Sequence, residues 1–244
     1  MNTKKLRMLL DILMTVFSII LMGGTLLFEN EKIHQHLGML MFVFWICHAI
    51  LNRKWFSSIF CPNYFPYRIM QLVVNLGIFI SAVFLMLSGI MLASFLPINF
   101  GLGFARTSHL LSSHWYYFFM SLHLGLHIQM IFNSIQTSKN KKSLTMQTTK
   151  NAPSKAKSAI RYTVLFLVCA YGAYSFYNLG IAKYMFYVQQ FFFLDIERGY
   201  FFFFADYISM LVLIATLSHF LGKFLLEMQN KKSKKIRKKD NLDS

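Results

Sequence analysis

Apolar residues run along this chain in six long stretches separated by short polar or basic breaks. The stretches span approximately Leu6 to Phe28, Ile33 to Leu51, Tyr67 to Phe95, Ser108 to Ile135, Ile160 to Leu179 and Tyr200 to Leu226. A helix needs roughly 20 mainly apolar residues to cross a hydrocarbon core of about 30 Å, so each stretch predicts one transmembrane helix. The pattern predicts an all-α integral membrane bundle. The first stretch is too long, and too acid-interrupted at Asp11, to be a cleaved signal, and no A-x-A-like site follows it. Arg7 and Asp11 stand four residues apart at its start and read as an interfacial ion pair. Tyr184 to Leu194 is too short to cross and is rich in aromatics, which predicts an interfacial or re-entrant helix at the outer boundary.

The segment Lys139 to Lys157 is rich in Ser, Thr, Asn and Lys, contains Pro153 and lacks apolar periodicity, so it reads as a flexible linker. It divides the chain into a four-span core (1–136), a basic cytoplasmic linker (137–159), a two-span extension with the outer interfacial helix (160–228) and a basic cytoplasmic tail (229–244).

Composition agrees with a membrane protein. Hydrophobic residues make up 56% of the chain and charged residues only 14%, against about a quarter charged in ordinary soluble domains. The net charge of +16 comes from 25 Lys and Arg, and it has a direction. With the N-terminus inside, all of these except Lys32, Arg106, Lys183 and Arg198 fall on the inner side, where membrane proteins retain positive charge. That places both termini in the cytoplasm, as an even number of spans requires. The basic run Lys231 to Lys239 beside the last span reads as attraction to anionic lipid, and nucleic acid is not expected as a partner. Cys47, Cys61 and Cys169 are too few for a disulfide framework, and no C-x-x-C-H is present for covalent haem attachment.

The histidines carry the chemistry. Ionisable residues within spans are costly and mark function. His34 and His48 lie 14 residues apart in the second stretch, and His109 and His123 lie 14 apart in the fourth. Fourteen residues complete almost four helical turns and rise about 21 Å, so each pair shares one face, with one member near each membrane surface. The two stretches run in the same direction. They can therefore offer two opposed histidine pairs, His34/His109 outside and His48/His123 inside. Two imidazoles from neighbouring helices suit the axial positions of a haem b, and a bis-histidine iron has no open site, which favours electron transfer. Zinc would want three or four ligands converging on one point.

His127 follows His123 by one turn on the same face and is the alternative inner ligand, although equal spacing favours His123. His36 and His114 lie off the faces of His34 and His109 and are expected at interfacial or supporting positions, and His219 is expected to be packed. Gly38 and Gly125 are small residues that would let a porphyrin approach the backbone or serve helix packing. Lys32 and Arg106 flank the outer pair and Arg53, Lys54 and Arg68 lie near the inner one, so either set could meet haem propionates. Positive-inside bias alone explains the inner set, which makes Arg106 the more informative residue. Asp206, within the sixth stretch, is expected to handle a proton, bind a partner or be a bonded structural carboxylate. The runs Phe191 to Phe193 and Phe201 to Phe204 read as lipid-facing surface.

These histidines sit in recurring wording: Leu9-Leu10-Asp11, His34 with Leu37-Gly38, His48 with Asn52-Arg53, Trp55-Phe56, Ser88-Gly89-Ile90-Met91, His109-Leu110-Leu111, and Ser121-Leu122-His123-Leu124-Gly125-Leu126-His127. Over roughly residues 4 to 135 the chain resembles the flavinylation-associated cytochrome family of bacterial membrane cytochromes b. The resemblance implies a four-helix core with two haems b. It also implies electron transfer across the membrane to extracytoplasmic proteins bearing covalent FMN, as the electron-transfer subunit of an oxidoreductase system. His34, His48, His109 and His123 match the family's histidines, and His127 matches a further one.

The expected function is thus transmembrane electron transfer between a cytoplasmic-side or quinol donor and an outer flavoprotein. The alternative is a proton-coupled transporter using intramembrane histidines and Asp206, which would predict inverted repeats and broken helices that the sequence does not show.

Overall fold

In a computed structural model the protein is all α-helical. The structure describes residues 3–28, 30–59, 65–98, 100–143, 155–193, 195 and 197–240. Helix α1 spans Thr3–Leu21 and a short 3₁₀ turn, Gly24–Leu27, leads to α2, Glu31–Leu51. Asn30 caps α2 by accepting the Lys32 backbone N–H at 3.0 Å. A one-turn α3, Lys54–Ser58, precedes α4, Pro66–Leu92, which starts with proline where a missing N–H costs nothing. Then come α5 (Leu102–Ser143), α6 (Lys155–Asn178), the short α7 (Ile181–Met185) and α8 (Gly199–Asp240).

Four of these helices are long and apolar enough to cross a membrane: α2, α4, α6 from Ala159 to Asn178, and α8 from Gly199 to Lys231. The other two expected spans, α1 and α5, do form as long helices. Lysine, arginine and Asp11 reduce the apolar character of α1, and serines and histidines reduce that of α5. Large apolar side chains such as Val43, Ile80, Phe84, Leu87, Phe166 and Leu217 face outward, which suits a hydrocarbon surrounding.

In the front half α1 packs on α2, α2 on α4, α4 on α5, and α5 touches α1, so the four helices form a ring. The back half is more than an appendage. Helix α8 packs along α5, α4 and α6, and half of its apolar window is buried, against 6% for α2. Glycine makes this approach possible. A Cβ at Gly125 would collide with the Ala215 carbonyl oxygen of α8, and one at Gly172 would collide with the Ser209 carbonyl oxygen. Gly125 is thus a helix-packing residue, since α8 occupies the space beside it. Buried hydroxyls complete the seam: Tyr117 donates to the Tyr207 carbonyl, and Ser218 donates to the Leu122 carbonyl at 2.7 Å.

The aromatic segment expected at the outer boundary has a shorter helix and is more deeply packed than its composition suggests. Its helix, α7, covers only Ile181–Met185, begins after Gly180 in the left-handed region (φ 62°) and is followed by Tyr187 with φ 56°. Ile181, Tyr184 and Met185 are buried, and Trp115 of α5 donates to the Met185 carbonyl at 2.8 Å. Phe191, Phe193, Phe201 and Phe202 are exposed as expected. Phe203, however, is buried in the core, and Phe192 lies over Tyr184 and near His114, because helical or turn geometry sends neighbouring rings in different directions.

The expected linker is partly helical. Helix α5 continues to Ser143 and α6 begins at Lys155, since lysine, glutamine and serine tolerate a helix. The rest of the linker, with Pro153, lies outside the described residues, as does Cys61. Helix α8 carries on through the basic run to Asp240.

Candidate functional site

Helices α2 and α5 present their histidines to one another across the ring. His34, in the first turn of α2, and His109, in the third turn of α5, have ring centres 6.2 Å apart with planes inclined at 71°. The two residues lie 75 positions apart in the sequence and on different helices. His109 is seated by α4. A Cβ on Gly89 would lie 3.5 Å from its Cε1, and its Nδ1 stands 3.3 Å from the Ser88 hydroxyl. That hydroxyl donates to the Phe84 carbonyl at 2.7 Å, so its oxygen is free to accept a long bond from the His109 Nδ1–H. The His34 Nδ1 is buried and has no hydrogen-bond partner.

Fourteen residues further along each helix come His48 and His123. The His48 Nδ1 lies 2.8 Å from Asp11 Oδ1. A carboxylate only accepts, so the imidazole N–H donates and Nε2 carries the lone pair. The Asn52 side-chain amide stands 3.4 Å from that Nε2, long for a hydrogen bond. His123 is held in the same way, its Nδ1 donating to Asn75 Oδ1 at 2.7 Å, which leaves its Nε2 as the basic nitrogen. The His127 ring lies 4.5 Å from that of His123.

Two partners here differ from the sequence expectation. Asp11 does not pair with Arg7. Helix α1 lies against α2, which brings His48 opposite Asp11, while Arg7 donates to the Leu51 carbonyl at 2.7 Å, at the C-terminus of α2 where carbonyls lack helical partners. Asn75 was not singled out at all. An amide among the apolar residues of α4 was the available signal, because an amide inside a span needs a partner.

Gly38 lies one turn after His34 on the same face, and a Cβ there would meet open space. Arg106 is exposed one turn before His109. His36 is exposed, with its Nδ1 bonded to the Lys32 carbonyl at 2.5 Å, so it turns away from the His34/His109 pair. His114 is buried rather than interfacial. It donates from Nδ1 to the Leu110 carbonyl at 2.8 Å and stacks on Tyr184 at 4.7 Å. His219 is half-buried beside Phe220.

Asp206 is a bonded carboxylate. It is buried; Tyr171 and Ser175 each donate to Oδ1 at 2.7 Å, and Arg198 reaches Oδ2 at 3.3 Å. None of these partners is a histidine. Beside it lies a pocket of about 400 Å³ lined by Tyr184, Gln189, Phe192 and Arg198 among others. No group of three or more His, Cys, Asp or Glu side chains able to hold a metal ion occurs among the described residues. The histidines meet as pairs or neighbours, with no convergent shell of the kind zinc prefers.

No family model matches the chain, and no curated protein or solved structure matches it either.

Proposed function

We propose that this protein is a six-span membrane cytochrome b that carries electrons across a bacterial inner membrane through two bis-histidine haems. The outer haem would be held by His34 and His109 and the inner one by His48 and His123. The reading rests on one observation, the 6.2 Å separation of the His34 and His109 rings. An imidazole nitrogen bonds a first-row metal at about 2 Å, so two imidazoles that shared one metal would have ring centres about 6 Å apart. The donor set fits as well. Three of the four imidazoles have Nδ1 engaged by Asp11, Asn75 or Ser88, which leaves Nε2 as the ligating nitrogen. Gly38 leaves room for a flat ring next to His34.

Bound haem supplies reversible one-electron storage at iron. The chain supplies the rest. Helices α2 and α5 would set the two levels about 21 Å apart along the helix axes. Asp11 and Asn75 hold the inner imidazoles in one tautomer. Arg106, at the outer mouth, is placed to meet a propionate carboxylate. The apolar exterior keeps water away from the path. His127 is the alternative inner ligand.

The resemblance to flavinylation-associated cytochromes makes an extracytoplasmic FMN-bearing protein the acceptor we propose, with the FMN on that partner and not on this chain. Quinol is the proposed membrane donor. The orientation with both termini inside follows from the placement of Lys and Arg.

A dithionite-reduced minus oxidised spectrum of the purified protein, with pyridine haemochrome quantification, tests the reading. About two haems b per chain are expected. A folded preparation made with ample haem that binds none would overturn it.

A further inference from the structure

The two histidine levels differ in what holds their Nδ1 atoms, and the difference has a sign. At the inner level His48 donates to the carboxylate of Asp11 at 2.8 Å, and His123 donates to the Asn75 carbonyl oxygen at 2.7 Å. Both bonds are short, and one acceptor is an anion. At the outer level His109 has the Ser88 hydroxyl at 3.3 Å and the Leu85 backbone carbonyl, and His34 has the Gly24 backbone carbonyl while its Nδ1 is unpartnered, so every acceptor there is neutral. The one charged acceptor is on the inner side.

A carboxylate accepting the Nδ1–H pulls that proton away from the ring and makes Nε2 a stronger donor. A stronger axial donor stabilises ferric over ferrous iron and lowers the reduction potential. Asp11 adds a negative charge near the same level, which disfavours the extra electron further. Both effects act in the same direction, and among the described residues no carboxylate stands at His34 or His109.

We propose that Asp11 is the positioning and tuning residue of the inner level, setting the inner haem at a lower potential than the outer one, so that electrons run outward down a built-in gradient. This rests on the two-haem reading and adds a difference in potential between its two levels. Asp11 touches only the ligand's far nitrogen, and its action on the iron passes through His48.

The test is an equilibrium redox titration of the full-length purified protein, followed at the haem absorption bands. His34→Ala and His48→Ala identify the levels, the first retaining the inner haem and the second the outer. The inner midpoint is expected below the outer one, and the reverse order would overturn the gradient. Asp11→Asn is expected to raise the lower midpoint, leave the upper in place and keep both haems, with Asp11→Glu restoring the low value. Asp11→Ser serves the same comparison should the Asn variant lose its inner haem. Two haems whose midpoints both ignore Asp11→Asn would overturn the role of Asp11 while leaving the two-haem reading standing. Absence of haem from the wild-type protein would remove both.

Discussion

The rings of His34 and His109 face each other at 6.2 Å although the two residues come from different helices. Neither is carried there by a contact within its own helix. His109 is seated by Ser88 and Gly89 of α4, and His34 follows from the start of α2 just after its Asn30 cap. The pair is therefore a product of how three helices assemble.

Replacing one member of this pair is expected to remove one haem and spare the other. His34→Ala or His109→Ala should halve the pyridine haemochrome yield, with unchanged helix content by circular dichroism. Loss of both haems, or of neither, from each variant would show that the levels are not independent sites.

Asn75 holds His123 through one short bond at 2.7 Å. Partners of this kind typically alter metal affinity by about 10- to 100-fold when removed. Asn75→Ala is expected to weaken retention of the inner haem on that scale, measured by haem transfer to an apo-globin acceptor. Asn75→Asp, which keeps an acceptor oxygen, should recover most of it.

The two glycines singled out in the sequence should respond in opposite ways. Gly125→Ala puts a methyl group into the Ala215 carbonyl and should destabilise the helix pair by about 1–3 kcal/mol, the usual cost of overpacking. Gly38→Ala meets open space, and should be neutral or stabilising by up to about 1 kcal/mol through helix propensity. Denaturant unfolding in detergent, followed by helix signal, separates them. Bulkier Gly38→Leu should keep the fold and lower the haem yield.

Asp206 should matter to stability and not to haem. Asp206→Ala strands Arg198, Tyr171 and Ser175 at a buried carboxylate position and is expected to cost about 1–3 kcal/mol. Its haem content and midpoint potentials should match wild type. A proton-relay role would instead show as altered proton movement in a folded variant reconstituted into vesicles.

Helices and their histidine faces were legible because they depend on local order. Apolar runs of spanning length and a 14-residue repeat are properties of single segments, and a helix converts them into length and facing without reference to any neighbour. Pairing of helices is not local. That Asp11 meets His48 instead of Arg7, that Asn75 meets His123, and that His114 stacks under Tyr184 all depend on which helix lies against which, and at what height. Gly38 and Gly125 make the contrast within one residue type. Both are small residues near histidines in the sequence, yet one borders open space and the other is closed by the α8 backbone. Periodicity names the face a residue shares; only tertiary packing decides what stands opposite that face, because the 3.6-residue repeat carries no information about the neighbouring helix.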